Sequence, residues 1–212
     1  MTRLLRYCFF ALVVRPILLL LLGVNVRGRM RLPADGPAIV VANHNSHLDT
    51  MTLLSLFPLR DLPKLRPVAA MDYFMARWGL RWFALNIVGI LPIPRGARNA
   101  GATLTKCADA LDRGEILILF PEGSRGEPER LSGFKRGIAH LARLRPEVPV
   151  VPVFLHGLGK ALPRGTTILV PFNCDVFVGE SVAYGDSVDD FMATLEGRMG
   201  GLAEQGQFPP WE

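Results

Sequence analysis

The sequence has 212 residues, half of them hydrophobic, and its three cysteines fit no metal or redox spacing, so we expect one well-buried domain in a reducing compartment. Residues 1–100 carry 13 Lys and Arg against 4 acidic residues, whereas the remainder carries 11 against 15. Because the basic part is also the most apolar, this pattern favours an anionic membrane surface as a partner and argues against nucleic acid.

The N-terminal segment, residues 1–30, contains two apolar runs, Tyr7–Val14 and Ile17–Val24, which are separated by Arg15-Pro16. A transmembrane helix needs about 20 mainly apolar residues, and a central arginine costs about 2.5–3.5 kcal/mol on insertion scales. The proline should also kink or break the helix. We therefore expect two short helical pieces that lie in a membrane interface. A buried core helix is the alternative.

A polar stretch, Asn43–Asp49, follows the apolar run Ala38–Ala42 and leads into a predicted helix, Leu48–Phe57. An apolar, β-branched run that ends in a polar cluster is typical of a buried strand entering a turn. If His44 lies at the strand end and Asp49 in the first helical turn, the turn can fold the carboxylate onto the imidazole. The carboxylate would then fix the tautomer and leave the other ring nitrogen able to accept a proton, as in a general base.

Two other interpretations of this stretch stay open. Ser46–Asp49 also matches a capping box, in which Asp49 closes the N-terminus of the helix. The two functions are compatible, because Ser46 would then cap the helix that presents Asp49 to His44. A zinc site formed by His44, His47 and Asp49 is the weaker alternative, since no further ligand cluster accompanies these residues. His47 is expected to have no catalytic role.

The rest of the chain alternates predicted strands and helices. The central strands are wholly apolar, as expected when helices cover both faces of a sheet. The alternation predicts a layered α/β/α domain with a largely parallel central sheet over residues 31–212, and ligands bind beyond the carboxyl ends of such strands. The predicted strands are Leu65–Ala70, Asn86–Pro94, Ile116–Phe120, Val148–Leu155, Thr167–Val170 and Asp175–Gly179, and the predicted helices are Tyr73–Leu85, Asn99–Arg113, Phe134–Arg145 and one that begins at Ser187.

The loop Pro121–Gly126 follows one of these apolar strands and has the composition of a tight turn. Its backbone amides can bind an anion, and Arg125 offers a planar fork for phosphate oxygens. Glu122 would repel a phosphate, so we expect it to position Arg125 or to bind a substrate hydroxyl. An ordinary surface turn has the same composition and is the alternative for this loop.

Further cations follow the other strands. Lys135 and Arg136 lie at a predicted helix start, where the helix dipole attracts anions, and one of the two is expected to reach the site. Arg95 is another candidate phosphate ligand. The sequence contains no G-x-G-x-x-G, Walker A or G-x-S-x-G motif, which argues against dinucleotide, nucleoside triphosphate and serine-hydrolase chemistry.

Four motifs occur in a fixed order along the chain: Asn43–Asp49, Phe120–Arg125, Phe134–Gly137 and Val148–Val153. Together they resemble the motifs of the 1-acylglycerol-3-phosphate acyltransferases, the glycerolipid acyltransferases with an H-x4-D motif. The resemblance extends from about Arg27 to Gly179. It implies transfer of a fatty acyl group from a thioester, on coenzyme A or acyl carrier protein, to the hydroxyl of a lysophospholipid. The expected product is phosphatidic acid, made without a bound cofactor or metal by a membrane-associated enzyme at the cytoplasmic face.

The same resemblance assigns roles to individual residues. His44 corresponds to the general base and Asp49 to its orienting partner, with Asn43 and Ser46 expected to support the pair. The motif Gly89–Arg95 departs from the family pattern, because Pro92 stands where an aromatic residue is usual. Another acceptor, such as a lyso-aminolipid, therefore stays open, as do a non-catalytic lipid-binding module and a lipid hydrolase. The residues expected to bind substrate are Arg95, Glu122, Gly123, Ser124, Arg125 and Lys135.

Overall fold

The fold is known from a computed structural model, which describes residues 2–70, 78–94, 96, 99–124, 126, 131–162 and 169–208. Seven strands in this part of the chain form one sheet: β1 (Asn25–Arg27), β2 (Ala38–Ala42), β3 (Leu65–Ala70), β4 (Leu91–Ile93), β5 (Ile116–Leu119), β6 (Val150–His156) and β7 (Asp175–Val178). Their order in the sheet is β1-β7-β6-β2-β5-β3-β4. β6 and β7 are antiparallel, and the other neighbours are parallel.

Helices cover both faces of the sheet and create two hydrophobic cores. The helices are α1 (Thr2–Phe9), α2 (Leu48–Leu56), α3 (Trp78–Phe83), α4 (Ala100–Asp112), α5 (Gly137–Leu144), α6 (Leu158–Ala161) and α7 (Val188–Glu204). Successive side chains of a strand point to opposite faces, so Val40 of β2 lies in one core and Val41 in the other. The first core includes α2 and the N-terminal helix, and the second includes α4, α5 and α7. The predicted layered α/β/α architecture is confirmed.

The N-terminal helix continues beyond α1 and reaches Leu21. It does not break at Pro16 as expected, because π-helical turns at Phe10–Val14 and Ile17–Leu21 flank the proline. Wider turns of this kind accommodate a residue that cannot donate a backbone hydrogen bond. By length and composition alone the helix could cross a membrane, with 20 residues and a mean hydropathy of 2.1.

One side of this helix is packed onto the rest of the domain. Buried apolar residues recur every fourth position and join the first core. Arg6 donates to the carbonyl oxygen of Val88 at 2.8 Å, and Arg15 donates to that of Phe57 at 2.7 Å. β1 then pairs with β7. Residues 1–30 thus share both core and sheet with residues 31–212. The buried apolar residues are Phe10, Val14, Leu18 and Leu22.

Several predicted elements differ from the observed ones. Instead of a strand over Asn86–Pro94, a π-helical turn ends at Gly89, where φ is +78°, and only Leu91–Ile93 is extended. The predicted strand Thr167–Val170 lies mostly outside the described residues, and Leu169 and Val170 are not in a strand. β7 pairs instead with β1 and β6.

Candidate active site

Two of the polar motifs emerge side by side from the sheet. β2 is parallel to both β5 and β6, with Val41 opposite Leu119 and Ala42 opposite Val153. The carboxyl ends of these three strands therefore meet at one edge, where ligands bind in α/β sheets. The stretch after β2 begins with Asn43, and the loop after β5 begins with Phe120.

The centre of the site is a hydrogen bond between His44 and Asp49, with 2.9 Å between Nδ1 and Oδ2. His44 lies beyond the end of β2, and Asp49 lies in the first turn of α2, which is the arrangement that the spacing predicts. The Asp49 side chain is fully buried, whereas that of His44 is 19% exposed. The imidazole is thus open to solvent on one side and held on the other.

The same carboxylate oxygen closes the turn. Oδ2 of Asp49 also accepts from the backbone N–H of Asn45 at 2.6 Å and of Ser46 at 2.8 Å. The second contact is half of a capping box. The Ser46 hydroxyl accepts from the N–H of Leu48 at 3.3 Å, and the N–H of Asp49 donates to the Ser46 carbonyl instead. One oxygen atom of Asp49 therefore both orients the His44 ring and caps the backbone at the start of α2.

Burial raises the pKa of Asp49 above its ordinary value, while the hydrogen bonds from His44, Ser46 and Asn45 act in the opposite direction. With the carboxylate ionised, Nδ1 of His44 carries the shared proton. Nε2 is then the ring nitrogen that can take a proton from a substrate.

Asn43 anchors the start of this motif to the neighbouring strand. Its side-chain nitrogen donates to the Leu155 carbonyl at 2.9 Å, and its side-chain oxygen accepts from the Leu155 N–H at 2.7 Å. Asn43 is only 1% exposed. The side chain thereby continues the pairing of β2 with β6 and fixes the backbone just before His44.

The loop after β5 holds His44 from the other side. The Phe120 ring stacks on the imidazole, with 4.1 Å between centroids and 22° between planes. The backbone N–H of His44 faces Oε1 of Glu122 at 3.4 Å, and its carbonyl accepts from the N–H of Gly126 at 2.9 Å. Glu122 is buried, and this burial raises its pKa to about 7.

The next residues of the loop are accessible and contact the Lys135 region. Gly123 and Ser124 are exposed. Gly123 has φ +76°, and a Cβ there would collide with the side chain of Lys135. The backbone N–H of Lys135 donates to the Pro121 carbonyl at 2.9 Å. Arg136 instead forms an ion pair with Asp189 of α7. Of the two adjacent cations, Lys135 is therefore the one that lies against the loop.

Two predicted ligands, Arg95 and Arg125, lie outside the described residues. Within the described part of the chain, no group of three His, Cys, Asp or Glu side chains is arranged to hold a metal ion. The sequence alone did not predict the contacts of Phe120 and Glu122 with His44. These two residues directly follow a wholly apolar strand, and that position indicates a contact with His44 only when β5 is known to lie beside β2.

Comparison with known sequences gives consistent matches. A sequence model of a family described as Acyltransferase matches residues 23–156. A chloroplastic 1-acyl-sn-glycerol-3-phosphate acyltransferase of Arabidopsis thaliana is 34% identical over 151 residues, which cover 68% of this chain and 38% of the relative. The 1-acyl-sn-glycerol-3-phosphate acyltransferase alpha of Homo sapiens is 31% identical over 134 residues, which cover 62% of this chain and 45% of the relative. The matched region spans less than half the length of these relatives.

A solved structure has the same fold. The crystal structure of the 1-acyl-sn-glycerophosphate acyltransferase PlsC of Thermotoga maritima superposes with a TM-score of 0.72 and covers 96% of this chain and 79% of its own. Its sequence identity to this chain is 21%.

Proposed function

Because this chain belongs to the acyltransferase family, we propose that it transfers a fatty acyl group from a thioester, on coenzyme A or acyl carrier protein, to the free hydroxyl of a lysophospholipid. The expected acceptor is 1-acylglycerol-3-phosphate, and the product is phosphatidic acid. The observation that carries the proposal is the 2.9 Å hydrogen bond between His44 and the buried Asp49 at the open edge of the sheet.

His44 acts as a general base in the proposed reaction. Asp49 holds Nδ1–H, and Nε2 accepts the proton of the acceptor hydroxyl as its oxygen attacks the thioester carbonyl. A C–O bond forms, the C–S bond breaks, and the thiolate leaves with the proton returned from the imidazolium. A thioester is already activated, so direct attack requires no acyl-enzyme intermediate. The donor, coenzyme A or acyl carrier protein, is a co-substrate in this scheme and not a bound cofactor.

The acceptor phosphate is proposed to bind where the loop after β5 meets the Lys135 region. Gly123 and Ser124 are exposed at this place, and Lys135 supplies a positive charge beside them. The N–H of Gly123 already donates to the Phe120 carbonyl at 3.0 Å, so the cations supply most of the attraction. Arg125 and Arg95 are proposed as additional phosphate ligands on the basis of the family motifs, because a guanidinium matches the geometry of phosphate oxygens.

We propose that the protein works at a membrane, on its cytoplasmic face, with the N-terminal helix lying in the interface. The side of the helix that faces away from the domain exposes large apolar side chains, while the other side is packed against the domain. A helix with one apolar exposed side and cations nearby suits interfacial binding more than complete crossing. The exposed side chains include Leu4 at 67%, Leu12 at 73%, Leu19 at 66% and Leu20 at 83%.

A second candidate function is the same transfer to a different acceptor. Pro92 lies on the edge strand β4, where its missing N–H is tolerated. It replaces the aromatic residue usual in a motif that the family uses near the acceptor. Comparing acceptors with and without a phosphomonoester would separate the two versions.

The test is acyl transfer by the purified full chain on vesicles that contain lysophosphatidic acid, with labelled acyl-coenzyme A or acyl carrier protein. We expect phosphatidic acid from the wild type and a loss of about 10²–10⁴-fold in His44→Ala, the usual contribution of a general base. His47→Ala is the matched control, because His47 is exposed and has no proposed role, and it should keep most of the activity.

Other outcomes would replace the proposal. Vesicle binding without turnover on any acceptor would indicate a lipid-binding module. Release of free labelled fatty acid in place of a new ester would indicate a hydrolase. Product formation that does not depend on His44 would contradict the assigned mechanism.

A further inference from the structure

The residue Glu122 has a position that its expected role in substrate binding does not explain. Resting on the proposed function, we infer that Glu122 is a positioning residue for His44 and not a ligand of the acceptor. Its contacts, its burial and the exposure of its neighbours in the same loop all support this assignment.

Glu122 lies on the inner side of its loop. It is 6% exposed, whereas the next two residues, Gly123 and Ser124, are exposed. A phosphate that approaches the loop from solvent therefore meets the two small residues and Lys135 before it meets the carboxyl group. A carboxylate would in addition repel the phosphate. Geometry and charge both separate Glu122 from the acceptor-binding part of the loop.

Glu122 contacts the backbone of the base, His44, and also the backbone of Ser132 farther along the chain. β2 and β5 pair as far as Val41 and Leu119, and beyond this point the strands diverge into their loops. There Oε1 of Glu122 faces the N–H of His44 at 3.4 Å, and Gly126 donates to the His44 carbonyl at 2.9 Å. Both backbone groups of His44 are thereby satisfied by the loop after β5.

This anchoring adds to the constraints on the imidazole ring itself. Asp49 fixes Nδ1, and Phe120 fixes the plane of the ring by stacking. Those contacts orient the ring only if the backbone that carries it stays in place. Removing the Glu122 carboxyl would leave the N–H of His44 without its acceptor, and a shift of about 1 Å in a catalytic group can cost about 10²-fold in rate.

The experiment compares Glu122→Ala and Glu122→Gln with the wild type, as full chains on lysophosphatidic acid vesicles at a saturating acyl donor. Glu122→Ala should lower kcat by about 10–100-fold while the acceptor KM stays within about twofold. Glu122→Gln keeps an oxygen that can accept from His44, so its kcat should stay within about threefold. Glu115→Ala is the matched control, because Glu115 is a largely buried glutamate at the opposite end of β5, and it should leave kcat and KM unchanged.

Two results would overturn the assignment. A rise of tenfold or more in the acceptor KM of Glu122→Ala at unchanged kcat would make Glu122 a substrate ligand. If Glu122→Ala has the kcat and KM of the wild type, Glu122 neither positions His44 nor binds the acceptor. If Glu122→Ala fails to fold, Glu122→Asp replaces it, since a carboxyl group one methylene shorter cannot reach the same contact.

A second measurement does not depend on turnover. The carbon-bound ring protons of His44 give NMR signals that report its position against Phe120, and these signals should shift in Glu122→Ala but not in Glu115→Ala. Unchanged signals in Glu122→Ala would contradict the positioning role even if no acceptor is ever found. If the wild type shows no activity but the His44 signals shift in Glu122→Ala, the proposed function is contradicted while the contact between Glu122 and His44 is supported.

Discussion

The carboxylate of Asp49 accepts hydrogen bonds from His44, Asn45 and Ser46 through a single oxygen atom. In Asp49→Asn the amide has nearly the same shape but no charge, so it no longer favours the tautomer with a proton on Nδ1. We expect kcat to fall by about 10²–10⁴-fold, as for loss of the base. The fold should survive, because burial already disfavours the charge. Steady-state kinetics and a thermal melt check both parts, and near-normal kcat would contradict the pairing mechanism.

The buried carboxyl group of Glu122 makes stability depend on pH. Its pKa is raised from 4.5 to about 7, so the folded state binds the proton more tightly than the unfolded state. This contribution is fully present below pH 4.5 and is lost as the pH rises through 7. The part of this stabilisation that is lost between pH 5 and pH 8 is about 2 kcal/mol.

In Glu122→Gln this contribution is absent. We therefore expect the free energy of unfolding to fall about 2 kcal/mol less between pH 5 and pH 8 in the variant than in the wild type. Urea denaturation at the two pH values measures the difference, and the other titrating groups are common to both proteins. Identical pH dependence would show that the carboxyl group is not perturbed.

At the scale of single elements, the N-terminal helix is held to the domain by two of its own arginines, Arg6 and Arg15. Arg6 is 6% exposed and donates to the Val88 carbonyl at 2.8 Å. Arg6→Ala should lower the free energy of unfolding by about 1–3 kcal/mol, because it leaves a buried carbonyl without a partner. Arg3→Ala removes the same charge from an exposed position of the same helix and should have little effect. Denaturant melts of both variants test this, and equal effects would favour a purely electrostatic role.

The elements that were predicted correctly are those with strong local signals. β3 was predicted with its observed bounds, and the helix after Ser187 begins where the serine accepts from the Asp190 N–H. β1 and α6 were missed because three or four residues are too few to show a periodicity. The error over Asn86–Pro94 has a related cause, since an apolar run does not distinguish a strand from a buried helical turn.

In the candidate active site, too, contacts between residues close in sequence could be predicted, and contacts between distant residues could not. The contact between His44 and Asp49 depends on residues five apart, so their spacing was sufficient to predict it. The contacts of His44 with Phe120 and Glu122 join residues more than 70 positions apart. They depend on the order of strands in the sheet, which no local pattern contains.

For the whole molecule, we propose that the exposed apolar side of the N-terminal helix is the face that meets the membrane. Leu20 is 83% exposed on this face. Leu20→Glu should weaken binding to anionic vesicles by about tenfold or more, since a fully buried leucine contributes about 1.5–3 kcal/mol. Leu144→Glu is the control, because Leu144 is 46% exposed on α5, across the sheet, and it should bind normally. Vesicle co-sedimentation measures the binding of both variants, and an equal loss of binding in the two would contradict this orientation of the protein on the membrane.

The pairing of β1 with β7 also affects how the chain is made. Asn25 and Asp175 are opposite each other in the sheet, although 150 positions separate them in the sequence. A ribosome makes the apolar helix and β1 before it makes β7, so β1 has no partner strand until the intervening residues have been added. Contacts over such distances form slowly. The pairing of β1 with β7 therefore forms late in folding, and under the proposed function the helix beside it can reach a membrane before the sheet is complete.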